Sequence, residues 1–168
     1  MLKCKFFPQN IEVNYQLSNI LQCFFQVEAL INSENNNLRS DEVLRLLQPY
    51  LIKADMMVEQ GKRKEHKIRV QVVFTLNSEE EKYFEPDALS SDGKVVLEVE
   101  AGRAVDNNQF LKDIFKASMM REVEYLVIAV RNHYRRKDDF KKVCNYLEIL
   151  YASNRIILPL AGILIIGY

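Results

Sequence analysis

Apolar side chains recur every three or four residues in the first third of the chain, a spacing that places them on one face of an α-helix. The first predicted helix covers residues 15–33 and ends in the polar stretch NSENNN. Ser40 or Asp41 can cap a second helix, which runs to about Ala54. Pro49 has no backbone N–H, so we expect a kink or break at that position.

Two more helices are predicted in the second half of the chain. One begins with Asp106 as its N-cap, and its apolar stripe consists of Phe110, Leu111, Ile114, Phe115 and Met119. The other covers residues 138–153 and carries acidic residues in its first turn, where they interact favourably with the helix dipole.

The remaining apolar segments have the pattern of β-strands. Residues 68–76, 82–89 and 94–102 predict a three-strand antiparallel meander. Residues 124–130 are almost continuously apolar, as expected of a strand that is covered on both faces. The run at 156–168 is too short and too interrupted to span a bilayer, so we predict buried strands there and no membrane partner.

The element order is therefore ααβββαβαβ. It predicts an α/β fold in one domain spanning residues 1–168, with a mixed central sheet flanked by helices. The N-terminal helices occupy 15–54, a core occupies about 41–131, and the last helix and strands occupy 138–168.

A tight hairpin turn is predicted at Asp92-Gly93, because this pair suits a type I′ turn in which both central residues have positive φ. With a two-residue turn, the numbers of opposed residues sum to 185. A three-residue turn would shift this register by one position.

Four carboxylates flank this turn. In the predicted register Asp87 lies opposite Glu98 and Glu85 lies opposite Glu100, all on one face of the hairpin. Opposed Cβ atoms are about 5 Å apart, so carboxylates from both strands can reach one ion. A solvated acidic face is the alternative, but such a face usually intersperses lysines, and Lys94 lies about 13 Å from Glu98.

The other side of the second strand is purely apolar. Val95, Leu97 and Val99 must face the core, which directs Glu98 and Glu100 to the opposite face whatever the turn geometry. Hard divalent cations are the usual reason for concentrating unpaired carboxylates, and Mg²⁺ binds through one or two of them plus water.

Composition excludes several classes of protein. There are 23 basic and 23 acidic residues, which argues against a histone-like polycation. The three cysteines are scattered, so neither a zinc site nor a disulfide framework is expected, and a reducing cytoplasm is the expected location. The start of the chain lacks the apolar region of a signal peptide. No GxSxG, P-loop or GxGxxG motif is present.

The acidic segment resembles the PD-(D/E)xK nuclease superfamily. Pro86-Asp87 is followed, after ten residues, by Glu98-Val99-Glu100, with Glu at the position where the superfamily more often has Lys. The ExE variant is similar to a branch of type II restriction endonucleases. The element order over 41–131 also resembles the αβββαβ restriction-endonuclease-like core.

The resemblance implies a bound Mg²⁺, with Mn²⁺ as a substitute. Asp87, Glu98 and the backbone carbonyl of Val99 would hold the ion. Glu100 would act as general base or bind a second ion, but it cannot supply a positive charge. Arg103 is the nearest predicted source of that charge.

An accessory acid serves some of these families. Glu28, Glu42 or Glu59 could have that role here, as could Glu85 within the hairpin itself. Each of them is otherwise a surface residue, and the sequence leaves the choice open.

Two basic clusters, at 62–69 and 131–142, are candidates for contact with phosphates. From the second cluster we expect contributions from Arg131, Arg135 and Arg136, since arginine suits bidentate phosphate binding. The alternative is a solvated loop and helix start. Lys112 and Gln109, on the polar side of the third helix, would face either DNA or water.

The sequence thus predicts a Mg²⁺-dependent endodeoxyribonuclease. Double-stranded DNA is favoured over RNA because the ExE branch acts on it. Cleavage of both strands needs two active sites or one that reorients, so a homodimer is expected. The alternatives are a non-catalytic DNA-binding or protein-interaction domain on the same scaffold, and a metal-stabilised structural domain.

Overall fold

The chain forms a six-stranded mixed sheet with helices on both faces. The computed structural model describes residues 1–61, 63–73, 82–102, 104–135 and 137–168. The helices are α1 (Tyr15–Ile31), α2 (Ser40–Lys53), α3 (Gln109–Met119) and α4 (Asp139–Ser153). The strands are β1 (Lys3–Phe7), β2 (Met56–Val58), β3 (Val70–Val73), β4 (Lys82–Phe84), β5 (Ala88–Ser90), β6 (Val95–Glu100), β7 (Tyr125–Val130), β8 (His133–Tyr134), β9 (Lys137–Asp138) and β10 (Gly162–Gly167).

The strand order in the sheet is β1-β10-β7-β6-β5-β2. The central strands β10, β7 and β6 are parallel, and the outer strands β1, β5 and β2 are antiparallel to their neighbours. This confirms the predicted α/β fold with a mixed sheet. No helix in the described part of the chain is long and apolar enough to cross a membrane.

Side-chain alternation along β6 assigns the two faces of the sheet. Val95, Leu97 and Val99 pack in the cluster that includes α1 and α2, whereas Val96 packs in the cluster with α3 and α4. Glu98 and Glu100 therefore point to the side of the sheet that α3 covers, as the alternation predicts.

Two helix details differ from prediction. The break expected at Pro49 does not occur: α2 continues through it, because Leu47 and Leu51 are fully buried on either side and anchor both halves to the core. The N-cap of α3 is Asn108 in a left-handed conformation, and Asp106 instead binds Lys137 at 2.7 Å.

The predicted meander is wrong in its pairing. The strand predicted at 68–76 contains β3, which pairs with β4 in a separate two-stranded ribbon. The strand that pairs with β5 is β2 instead. Pro86 explains the break, because it lacks the N–H that a continuous strand from β4 into β5 would need. The predicted strand end and break over residues 74–81 lie outside the described residues.

The hairpin register is the predicted one, but its turn is not type I′. Ala88 pairs with Leu97 and Leu89 with Val96, so opposed numbers sum to 185. Of the Asp92-Gly93 pair, only the glycine has positive φ, at 77°. The Asp92 carboxylate instead accepts hydrogen bonds from the Ser90 hydroxyl at 2.6 Å and the Lys94 N–H at 3.1 Å, which stabilises the turn.

Candidate metal centre

Two backbone N–H groups hold Asp87 in place, one from β6 and one from the end of β2. Its Oδ2 accepts a 2.7 Å hydrogen bond from the Val99 N–H. Its carbonyl accepts a 2.8 Å hydrogen bond from the Glu59 N–H, at the end of β2. The side chain of Asp87 is therefore fixed beside the strand that carries Glu98.

Three of the four predicted carboxylates converge. Asp87, Glu98 and Glu100 lie near enough for the charge of each to affect the ionisation of another. Glu85 does not join them, because the hairpin ladder ends at Ala88 and the chain diverges before it. The Glu85 carboxylate forms an ion pair with Arg69 at 3.7 Å.

The cluster contains a fourth carboxylate that the sequence reasoning missed. Asp113 of α3 is 1% exposed, and its Oδ1 accepts hydrogen bonds from Gln109 Nε2 and Lys116 Nζ, each at 3.3 Å. Gln109 thus faces this carboxylate. The position of Asp113 in the sequence indicates its burial. It comes three residues after Phe110 and one before Ile114, so it lies on the buried side of an amphipathic helix.

Burial and mutual repulsion raise the pKa values of the cluster. Burial, with Glu59 and Asp113 nearby, raises the pKa of Asp87 to about 6, although the Val99 N–H opposes the shift. Burial and the charges of Asp113 and Asp87 raise the pKa of Glu100 to about 8. The pKa of Glu98 is raised well above its usual value, chiefly by burial and then by Asp87.

The donor set fits a hard divalent cation. Glu98 Oε1 and Asp113 Oδ2 are buried without a hydrogen-bond partner, which is costly for a carboxylate unless something else binds it. All the donors are oxygens, the ligand type that Mg²⁺ and Mn²⁺ prefer. Among the described residues, no group of three or more His, Cys, Asp or Glu is placed so that it could hold a metal ion. Binding through one or two carboxylates plus water is the arrangement typical of Mg²⁺.

Of the proposed accessory acids, only Glu59 lies next to Asp87. Its carboxylate forms a 2.6 Å ion pair with Lys67, and both side chains are mostly buried. Glu42 accepts a 2.7 Å hydrogen bond from the Arg39 N–H and caps α2. Glu28 accepts a 2.7 Å hydrogen bond from the Leu2 N–H at the far end of α1.

Two clefts border the carboxylates, and the start of α2 lines both. One, of about 670 Å³, reaches Asp87 and Glu59. The other, of about 540 Å³, reaches Glu100. Both are lined by Arg39, Ser40 and Asp41. The N-terminus of α2 therefore separates two openings that lead toward one acidic cluster.

Arg131 is buried and holds the segment that leads into α2. Its guanidinium donates to Asn37 Oδ1 at 2.8 Å and to the Leu38 carbonyl, in the segment that leads into α2. It also lies 5.5 Å from the Tyr134 ring centroid. The residue lines the cleft beside Glu100, but its donors are engaged within the protein.

Two other predicted basic contacts, Arg135 and Lys112, are more exposed than Arg131. Arg135 has a positive φ of 47° and its guanidinium lies 5.1 Å from the Tyr134 ring centroid. Lys112 is exposed on α3, with its Nζ 3.4 Å from Gln109 Oε1. Arg103 and Arg136 lie outside the described residues.

The fold is that of the restriction endonucleases. The chain is similar to the solved structure of free BglII, with a TM-score of 0.53 and 12% identity, over 99% of this chain and 78% of that one. It is also similar to restriction endonuclease BglII in complex with a DNA 16-mer, with a TM-score of 0.59 and 10% identity, over 99% and 77% of the two chains. No family model and no curated protein matches the sequence. The likeness confirms the predicted fold.

Proposed function

We propose that this protein is a divalent-metal-dependent endonuclease that hydrolyses phosphodiester bonds in DNA. The observation that carries the proposal is the convergence of Asp87, Glu98 and Glu100 in a restriction-endonuclease fold, with a buried Glu98 oxygen that has no hydrogen-bond partner.

Asp87 and Glu98 would hold the cation, together with the backbone carbonyl of Val99. Mg²⁺ is the proposed ion and Mn²⁺ its substitute. A bound ion of this kind acts as a Lewis acid on the phosphoryl oxygen and lowers the pKa of a bound water. The Val99 N–H orients the Asp87 carboxylate, since it donates to Oδ2 and leaves Oδ1 for the ion.

Glu100 is the proposed general base. It ends β6, the strand that carries Glu98, and it lines the cleft beside the start of α2, through which an attacking water has access. Asp113 lies close enough to Glu100 for its charge to raise the pKa of Glu100. Tyr168 donates a 3.2 Å hydrogen bond from its hydroxyl to the Glu100 carbonyl and so fixes the end of β6.

Duplex DNA is the proposed substrate, and the solved BglII complex with a DNA 16-mer supports this choice. The exposed side chains of Arg135 and Lys112 are proposed to contact phosphates, as are Arg103 and Arg136. Arg131 is assigned the supporting role that its buried contacts favour. Cleavage of both DNA strands needs two active sites or one that reorients, so we propose a homodimer. Sedimentation at micromolar protein concentration tests this proposal.

Cleavage of supercoiled plasmid tests the function. With Mg²⁺ or Mn²⁺ the wild-type protein should convert supercoiled plasmid to nicked and linear forms, and chelation should stop the reaction. Glu98→Gln and Asp87→Asn should each lose activity by about 10³-fold or more, as expected when a metal-binding group is removed. Glu34→Gln, an exposed acid beside His133, is the matched control and should cleave normally.

Inactivity of the wild-type protein with both ions would contradict the proposal. Retained DNA binding in that case, measured by fluorescence anisotropy, would identify a non-catalytic DNA-binding domain on the same scaffold. Equal cleavage by wild type and Glu98→Gln would show that the activity comes from a contaminant or another site.

A further inference from the structure

The ammonium group of Lys116 lies beside the carboxylate cluster. Lys116 Nζ is 3.3 Å from Asp113 Oδ1, one turn along α3, and the lysine side chain is 30% exposed. The charges of Glu98 and Glu100 also act on this ammonium. Acidic side chains on two elements, α3 and β6, therefore act on one lysine.

We propose that Lys116 supplies the positive charge that stabilises the transition state at this site. The inference rests on the proposed nuclease function. The end of β6 carries two acidic residues, Glu98 and Glu100, and the ammonium comes from α3, the helix that packs over the same face of the sheet.

The surrounding carboxylates keep Lys116 charged. Burial alone would lower the pKa of the ammonium, but Glu98, Asp113 and Glu100 act in the opposite direction and the pKa is raised. A permanently protonated lysine serves as an electrostatic group and not as a proton donor or acceptor.

Three other described cations near the cluster are engaged elsewhere. Lys67 is held by Glu59 at 2.6 Å. Lys112 is exposed and contacts Gln109. Arg131 donates to the segment before α2.

The chemistry balances without a change in the charge of Lys116. The water oxygen forms a bond to phosphorus and one water proton passes to the ionised Glu100 carboxylate. The bond from phosphorus to the leaving oxygen breaks, and the leaving oxygen keeps the electron pair and takes a proton from solvent water. Negative charge grows on the phosphoryl oxygens during this step. The ammonium, held in place by Asp113 in the free protein, stabilises that charge when substrate is bound.

Lys116→Gln tests the proposal, because the glutamine amide can still donate to Asp113 while the charge is lost. We expect kcat to fall by about 10²–10³-fold, the usual loss for one transition-state donor, with little change in KM for DNA. Arg121→Met, which removes an exposed charge just beyond the same helix, is the control and should keep the wild-type kcat. Wild-type kcat in Lys116→Gln would overturn this inference alone, whereas an inactive wild-type protein would overturn the proposed function as well.

One further measurement separates a catalytic charge from a structural one. Mn²⁺ should bind Lys116→Gln about threefold more tightly or better, because a competing positive charge is removed. Weaker Mn²⁺ binding by Lys116→Gln than by the wild-type protein would overturn the proposal.

Discussion

At the scale of single residues, Glu98 shows most clearly how burial and charge conflict. It is 6% exposed on a strand that is otherwise apolar apart from Glu100, and one of its carboxylate oxygens has no hydrogen-bond partner. Nearby Asp87 and Asp113 add repulsion, which raises the pKa of Glu98 further. A bound cation would relieve both the burial cost and the repulsion.

Asp87 leads to a prediction about stability, because its carboxylate both repels its neighbours and accepts the Val99 N–H. Repulsion alone would make Asp87→Ala stabilising. Val99 is buried, however, so the alanine variant leaves its N–H without an acceptor, which costs about 1–3 kcal/mol. Asp87→Asn keeps an acceptor oxygen and removes the charge.

Urea denaturation in EDTA at pH 8 should therefore rank Asp87→Asn above Asp87→Ala in the free energy of unfolding. Both variants should fail to bind Mn²⁺. Equal stability of the two variants would contradict the structural role assigned to the Val99 hydrogen bond.

At the scale of elements, the site depends on how α2 and α3 are placed around the end of β6. The third helix brings Asp113 and Lys116 over the acidic face. The second helix lines both clefts, and Arg131 fixes the segment that precedes it.

Arg131→Met should loosen the start of α2. The substitution removes donors from Asn37 Oδ1 and the Leu38 carbonyl, and we expect a loss of about 2 kcal/mol in the free energy of unfolding. Hydrogen exchange should be faster at the backbone amides of Glu42 and Val43, which donate to the Arg39 carbonyl. Arg135→Met removes an exposed arginine and serves as the control, and exchange that is equally slow in both variants would contradict this role.

Some elements could be predicted from periodicity and others could not. The four helices and the apolar alternation of β6 follow from residue spacing, although the N-cap of α3 is Asn108 and not Asp106. The hairpin register follows from a two-residue turn at Asp92-Gly93. The pairing of the first strand could not be inferred, because a three-residue strand such as β2 is too short to give a pattern. Continuation of α2 through Pro49 depends on tertiary burial of the leucines around it.

The same division applies to the site. The closeness of Asp87, Glu98 and Glu100 was predictable, since the hairpin register and the strand alternation place all three on one face. The separation of Glu85 follows from the break at Pro86, which strand propensity alone does not weigh. The roles of Asp113 and Lys116 depend on how α3 rotates over the sheet, and spacing along one helix does not determine that rotation.

At the scale of the whole molecule, several buried carboxylates make stability depend on pH. Burial raises the pKa of Asp87 and Asp139 to about 6, and that of Glu100 to about 8. Carboxyl groups of the unfolded chain have pKa values of about 4. Between about pH 4 and pH 8 the folded protein therefore binds more protons than the unfolded chain does. Stability then falls as pH rises from about 4 to about 8.

Urea denaturation of the metal-free protein should accordingly show a lower free energy of unfolding at pH 8.5 than at pH 5. Added Mg²⁺ should restore part of the loss at pH 8.5. Asp139→Asn, whose buried carboxyl lies near Asp106 and Lys142, should reduce the pH dependence without changing the effect of Mg²⁺. Greater stability at pH 8.5 than at pH 5 in EDTA would contradict the raised pKa values.

The central claim is that the buried carboxylates form a cation site, and calorimetric titration with Mn²⁺ at pH 7 tests it most directly. Two buffers of different ionisation enthalpy report the protons released, and we expect about one proton per bound ion because raised-pKa carboxyls must ionise. Glu98→Gln should abolish binding, and Glu34→Gln should bind as the wild-type protein does. Undetectable binding at millimolar Mn²⁺, or binding that Glu98→Gln leaves unchanged, would contradict the claim.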